Sequence, residues 1–189
     1  MFAVLAEDRS DAEALVVLVK RIIGKENTKV YSKGFSCCGE LCRKAGSYLV
    51  NFADQGATRF IICHDSDGED PAAIRQKVRE SIPVRLNLGA FDHRIIVPVQ
   101  ELEAWIIADE DAISAVIPSL KIKPQRWPET ITDPKEWLVR ESRTGQSKPL
   151  YASTAWNARV AFHLNIDKVR KKCKSFEELV GFVRLEMGT

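Results

Sequence analysis

Acidic residues recur in this chain where apolar runs stop. Arg59-Phe60-Ile61-Ile62-Cys63 leads into His64-Asp65-Ser66-Asp67-Gly68, so two carboxylates one residue apart close a strand-like run. In an extended chain alternate side chains share a face, which sets Asp65 and Asp67 together and Ser66 opposite. Two like charges on one face repel, and a divalent cation between them relieves the repulsion. Glu7 and Asp8 close another apolar run, Phe2-Ala3-Val4-Leu5-Ala6, with Asp11 a few residues on. Glu101 and Glu103 follow a third, Arg94-Ile95-Ile96-Val97-Pro98-Val99. Carboxylates from three such ends, aimed at one point, make an oxygen-donor site for Mg2+ or Mn2+. Taken singly, each is an ordinary turn or cap acid. Asp8, Asp11 and Asp70 are assigned that simpler role, because acids are favoured at helix N-termini.

Other constellations carry less. Asp65-Ser66-Asp67-Gly68-Glu69 starts like a calcium loop, but Asp70 stands where that loop needs Gly and Gln76 where it needs Glu. Cys37, Cys38, Cys42 and His64 match no zinc spacing, and an odd total of Cys 5 reads as free thiols. His93 and His163 have no visible base or nucleophile role. Trp105 reads as core or as a wall of the site. Trp127, Trp137 and Trp156 lie among Lys123, Arg126, Lys135, Arg140, Arg143 and Arg159, an interleaving that stacks bases and holds phosphate or else simply packs helices.

The elements that must position these groups follow from periodicity. Phe2 to Ala6 predicts a buried strand, and Ser10-Asp11-Ala12-Glu13 a capping box opening a helix that Gly24 stops. A weak strand is expected around Thr28 to Ser32, a helix over 39–53, and a strand from Arg59 to His64. Asp70-Pro71 opens a third helix, and 94–99 is a further strand. Residues 101–117 predict one helix, or two broken near Asp109. Asp133-Pro134 opens another, and more helices follow over 154–164 and 167–173. Ser175-Phe176-Glu177-Glu178 is read as a second capping box. Alternating strands and helices predict an α/β fold with a mostly parallel four-stranded sheet flanked by helices, Rossmann-like in type. Ligands of such sheets sit at the carboxyl ends of strands, where the acidic clusters fall. The expected organisation is a catalytic domain over 1–117 and a helical, basic C-terminal extension over 118–189.

The chain has 189 residues, hydrophobic content of 45% and charged content of 29%, a globular composition. Its net charge of +2 is unevenly spread: Lys+Arg less Asp+Glu comes to −4 over residues 1–118 and +6 over 119–189. An acidic half beside a basic half suits a metal site next to a polyanion-binding surface, with Lys135, Arg140, Arg143 and Lys148 the expected nucleic-acid contacts. No apolar run reaches the ~18 residues of a membrane span. The first residues carry no basic segment of a signal peptide, so a cytoplasmic location and no membrane association are expected.

Glu7 through Glu13, His64-Asp65-Ser66-Asp67-Gly68 and Glu101-Leu102-Glu103-Ala104-Trp105 together resemble a toprim domain. More narrowly, the stretch from Val97 through Glu103-Ala104-Trp105 to Ala108-Asp109 is similar to the signature of small bacterial toprim-like proteins, the family labelled domain of unknown function 4276. Pro128-Glu129, Asp133-Pro134-Lys135, Tyr151 and Lys174-Ser175-Phe176 look like that family as well. The resemblance implies that Glu7, Asp65, Asp67 and Glu103 form the catalytic and metal-binding set, holding Mg2+ or Mn2+. It implies a nuclease hydrolysing phosphodiesters, an effector of bacterial anti-phage defence acting with an ATPase partner. One departure is that Asp8 stands where toprim sequences usually have Gly. Two other readings compete: a response-regulator-like phosphoacceptor module, which accounts for Asp8 beside Glu7, and a non-catalytic toprim-like subunit binding an ATPase or nucleic acid. A homo-oligomer is left open.

Overall fold

The computed structural model describes residues 1–82, 92–143, 145 and 148–185. Four strands, β1 (Phe2–Ala6), β2 (Val30–Gly34), β3 (Arg59–Cys63) and β4 (Asp92–Ile96), form one parallel sheet in the order β2-β1-β3-β4. The α/β expectation is met. The two central strands, β1 and β3, are buried at every residue, as strands covered on both faces are.

Strand alternation divides the core into two layers. Phe2, Val4, Ala6, Ile61 and Cys63 face one side, against α1 (Arg9–Ile23) and the C-terminal helices. Ala3, Leu5, Phe60 and Ile62 face the other, against α2 (Cys38–Asp54) and α3 (Pro71–Ser81). After β4 the chain is helical: α4 (Glu103–Ile107), α5 (Glu110–Val116), α6 (Pro134–Glu141), α7 (Ser153–His163), α8 (Ile166–Lys172) and α9 (Lys174–Arg184). The break expected near Asp109 is there: Asp109 leaves helical geometry at φ −129°, ψ 86°. Helix α7 lies along α1, and Val160, Phe176 and Phe182 share one core with Phe2 and Leu15. Residues on both sides of 117 therefore fill a single layer.

Two capping expectations fail. The N-cap of α1 is Asp8, whose carboxylate accepts from the Asp11 N–H at 2.9 Å, and Ser10 is inside the helix, its buried hydroxyl without a partner among the described residues. An Asp two positions upstream competes successfully for the same orphan N–H groups. Ser175 is likewise the second residue of α9, where its hydroxyl accepts the Trp105 Nε1–H at 2.8 Å and donates to Glu129. Asp70, by contrast, caps α3 as expected, accepting from the Ala72 N–H.

Candidate metal centre at the sheet edge

The parallel sheet sends the ends of β1, β3 and β4 to one edge. The two loops after β3 and β4 are stitched together there. Ser66 N–H donates to Pro98 O and Gln100 O, Asp67 N–H donates to Gln100 O, and the Ser66 hydroxyl donates to Val99 O. These bonds carry Asp65 alongside the Glu101–Glu103 segment. Helix α6 closes the edge from above, its Lys135 N–H donating to Glu101 Oε2 at 2.8 Å.

The path of the chain after β3 differs from the extended one read in the sequence. β3 ends at Cys63. Ser66 O accepts from Glu69 N at 2.8 Å across a tight turn whose central residues, Asp67 at φ 48° and Gly68 at φ 82°, both lie in the left-handed region. Asp65 and Asp67 therefore do not share a strand face. Asp65 points into a group of acids, and Asp67 is exposed on the turn above it. Asp tolerates this backbone better than most side-chain-bearing residues.

Asp65 is the electrostatic centre. Its carboxyl is held well above the usual range, first by burial and then by the charges of Asp11, Glu103, Glu7 and Glu101. Asp11 is pushed up to about 8 by burial, then by Glu103 and Asp8. Glu103 is buried and raised too, although Asn157 Nδ2 donates to its Oε1 at 3.0 Å and opposes the shift. Glu101 is raised by burial, against the bond from Lys135 N. Asp67 is raised by burial and by Glu7. Carboxylates that push up their neighbours in this way share one field, and positive charge placed among them favours their ionised forms.

The neighbouring side chains act on this group in two ways. Lys135 sets its charge against it: burial works to lower its pKa, but Glu103, Asp8, Asp11 and Glu101 raise it overall. Glu7 is held rigidly, Oε1 accepting the Asp65 N–H at 2.7 Å and facing His64 Nδ1 at 2.8 Å. His64 is raised despite its burial, through the bond and charge of Glu7, and its buried Nε2 has no partner among the described residues. Behind Glu103, the buried Tyr151 hydroxyl donates to Asn157 Oδ1, so Tyr151 and Asn157 fix the Glu103 carboxylate in line.

Of the residues expected at the site, Glu7, Asp65 and Glu103 thus stand in one field, with Asp67 at its rim. Among the expected nucleic-acid contacts, Lys135 faces the acids. Arg140, Arg143 and Lys148 are exposed, Arg140 lying 3.7 Å from Glu141. Sequence reasoning passed over Asp11, which is not a cap but a buried acid on the inner face of α1. Its spacing gave one usable signal: Asp11, Ala14, Leu15 and Leu18 fall on one helical stripe. The sequence offers His64 only as a zinc ligand beside Cys37, Cys38 and Cys42, at a spacing that fails, and nothing in it singles out Asn157. Asp8 needs no glycine in its place, because its φ of −134° is extended backbone and its side chain is occupied by capping.

The donor set fits a hard divalent cation: it is all carboxylate oxygen and lacks thiolates. Among the described residues, no three His, Cys, Asp or Glu side chains converge closely enough, as they stand, to hold an ion between them. Side-chain rotation within the cluster is required of any ligation.

The model of the family described as a domain of unknown function (DUF4276) matches residues 6–184, and the chain belongs to that family. No curated protein and no solved structure matches it. Among the described residues, no helix is long and apolar enough to cross a membrane.

Proposed function

We propose, with membership of that family as the premise, that the chain is a Mg2+- or Mn2+-dependent nuclease of toprim type. One observation carries the reading: acids from three strand ends and from α1 converge on Asp65, whose buried carboxyl is pushed up by Asp11, Glu103, Glu7 and Glu101. Burying such a group without a cation is costly, and a phosphodiester-cleaving site is a setting in which that cost serves chemistry.

Asp65, Asp67, Glu103 and Glu7 would hold the ion, and Asp11 joins them. When bound, the ion supplies an activated water and charge for the leaving oxygen. The chain's own residues do the rest. The fixed Glu7, oriented by the Asp65 N–H and His64, is placed to take a proton from the attacking water. Asn157 and Tyr151 hold Glu103 in position. Lys135 on α6 is half-buried with its charge set against the acids, and its ammonium would meet the phosphate brought to them. Arg140, Arg143 and Lys148 extend a basic surface for the backbone of the nucleic acid.

The phosphoacceptor reading has less support. It needs Asp8 as a metal ligand beside Glu7, and Asp8 is committed to capping α1. Action with an ATPase partner and a role in phage defence rest on the resemblance of the Glu-Ala-Trp block alone.

The test is Mg2+- and Mn2+-dependent cleavage of single-stranded and duplex DNA and of RNA by the wild type and by Asp65→Asn/Asp67→Asn. Loss of cleavage in the double variant, with an unchanged circular dichroism spectrum, is the expected result. Metal-dependent cleavage at wild-type rate by that variant would sink the nuclease site.

A further inference from the structure

Of the interleaved Trp residues, the structure separates one from the rest. Trp137 and Trp156 pack against the core, Trp156 donating its Nε1–H to Leu150 O. Trp127 does neither and is 61% exposed. It forms one wall of an open pocket of about 370 Å³, whose other walls come from Glu129 and from the α8–α9 junction. An indole left in water costs free energy that packing would have recovered, so a free indole face over a pocket invites a ligand.

The charges around the pocket are not balanced. Its two acids are engaged: Glu129 accepts from the Lys174 and Ser175 N–H groups, and Glu177 pairs with Arg170 at 2.7 Å. The side chains of Lys171 and Lys174 are exposed and make no ion pair among the described residues. The exposed Arg126 lies over one face of the Trp127 ring, 5.2 Å from its centroid, and adds a positive charge beside the pocket without lining it. A flat aromatic face, two unpaired ammonium groups and a cavity within the size range of small-ligand sites fit a planar base carrying a phosphate.

This pocket is separate from the acidic edge. Trp105 follows Glu103 by two residues on α4, roughly 200° around the helix. Glu103 faces the acids, whereas Trp105 bonds Ser175, which bonds the pocket's Glu129. The two sites lie on opposite sides of α4.

We propose that this pocket binds one unpaired nucleotide, its base stacked on Trp127 and its phosphate held by Lys171 and Lys174. The nucleotide arrives either within a single strand or free in solution. The site extends the nuclease reading by giving the chain a second grip on nucleic acid, and it stands without catalysis.

Binding is measured by fluorescence anisotropy of a labelled single strand of about 12 nucleotides, in EDTA so that no cleavage intervenes. Matched duplex and adenosine monophosphate serve as competitors. Trp127→Ala is expected to weaken single-strand binding about ten-fold or more, and Trp127→Phe to restore most of it. Lys171→Ala/Lys174→Ala should flatten the dependence of log affinity on log salt by about 0.7 for each lost phosphate contact. Displacement by the mononucleotide alone, dependent on Trp127, assigns the pocket to a free nucleotide. Retention of Trp127-dependent binding in a strand that the mononucleotide fails to displace assigns it to nucleic acid. Equal affinities for wild type and Trp127→Ala, toward strand and mononucleotide alike, would overturn the proposal. Asp65→Asn separates the two ideas: it removes cleavage if the acidic edge is catalytic and leaves Trp127-dependent binding untouched.

Discussion

Asp11 is the side chain whose behaviour says most about the acidic edge. An ordinary Asp titrates near 3.8, but in this fold Asp11 keeps its proton up to about 8, pushed there by burial and then by Glu103 and Asp8. The folded chain therefore binds more protons than the unfolded chain between those values. Stability present below about pH 4 is lost as pH rises toward about 8. Melting in EDTA is expected to show Tm falling between about pH 5 and about pH 8. Mg2+ should remove most of that slope, since an ion at about 100 times its Kd stabilises by about 2.7 kcal/mol. Asp65→Asn gives the complementary result. It deletes the charge that Asp11, Glu103 and Glu7 repel, so the variant should melt higher than wild type in EDTA near pH 8, by roughly 2–4 °C for each 1 kcal/mol recovered. The same variant should lose the Mg2+ response. A Tm that rises with pH in EDTA, or an Asp65→Asn variant that Mg2+ still stabilises fully, would mean that these acids do not form one cation site.

At the scale of elements, the strands and helices were legible because apolar periodicity is a property of each segment alone. The turn after β3 was not. Its left-handed Asp67 depends on bonds to Pro98, Val99 and Gln100, more than thirty residues on, and no local pattern announces them. Caps failed for a related reason. Asp8 and Ser10 both suit an N-cap, and which one wins depends on where β1 releases the chain. Asn157 was invisible because its role comes from α7 lying against α1 and α4. Gly34 shows how tightly that release is set. A Cβ there would stand 2.3 Å from Asp8 O and 2.4 Å from Arg9 Cα, both backbone atoms that cannot swing aside. Gly34→Ala must push the end of β2 and the start of α1 apart, shifting the segment that carries Glu7 and Asp11. The expected cost is at least the ~1–3 kcal/mol of an overpacked core, read as a lower urea midpoint. It should come with a weaker Mg2+-induced rise in Tm. A variant of wild-type stability and wild-type Mg2+ response would show that this close approach does not position the site.

Across the whole molecule, the segment after residue 117 supplies more than a basic surface. Val160, Phe176 and Phe182 complete the layer built on Phe2, Val4 and Leu15, while Asn157 and Tyr151 reach from the same segment to Glu103. Helix α1 has Leu15, Leu18, Val19 and Ile22 fully or nearly fully buried, and α7 packs along it. Exposing two or three such side chains costs about 1.5–3 kcal/mol each. That is comparable with the ~5–15 kcal/mol that holds a typical domain folded. A fragment ending at residue 117 is therefore expected to show no cooperative urea transition, and the full chain a single one with fluorescence and circular dichroism superimposed. Adding the 118–189 peptide in trans should restore the transition and the Mg2+ response together, because the core and the acidic edge draw on the same helices. A 1–117 fragment that unfolds cooperatively by itself and still answers to Mg2+ would show the opposite: a self-sufficient catalytic domain on which the C-terminal helices are carried.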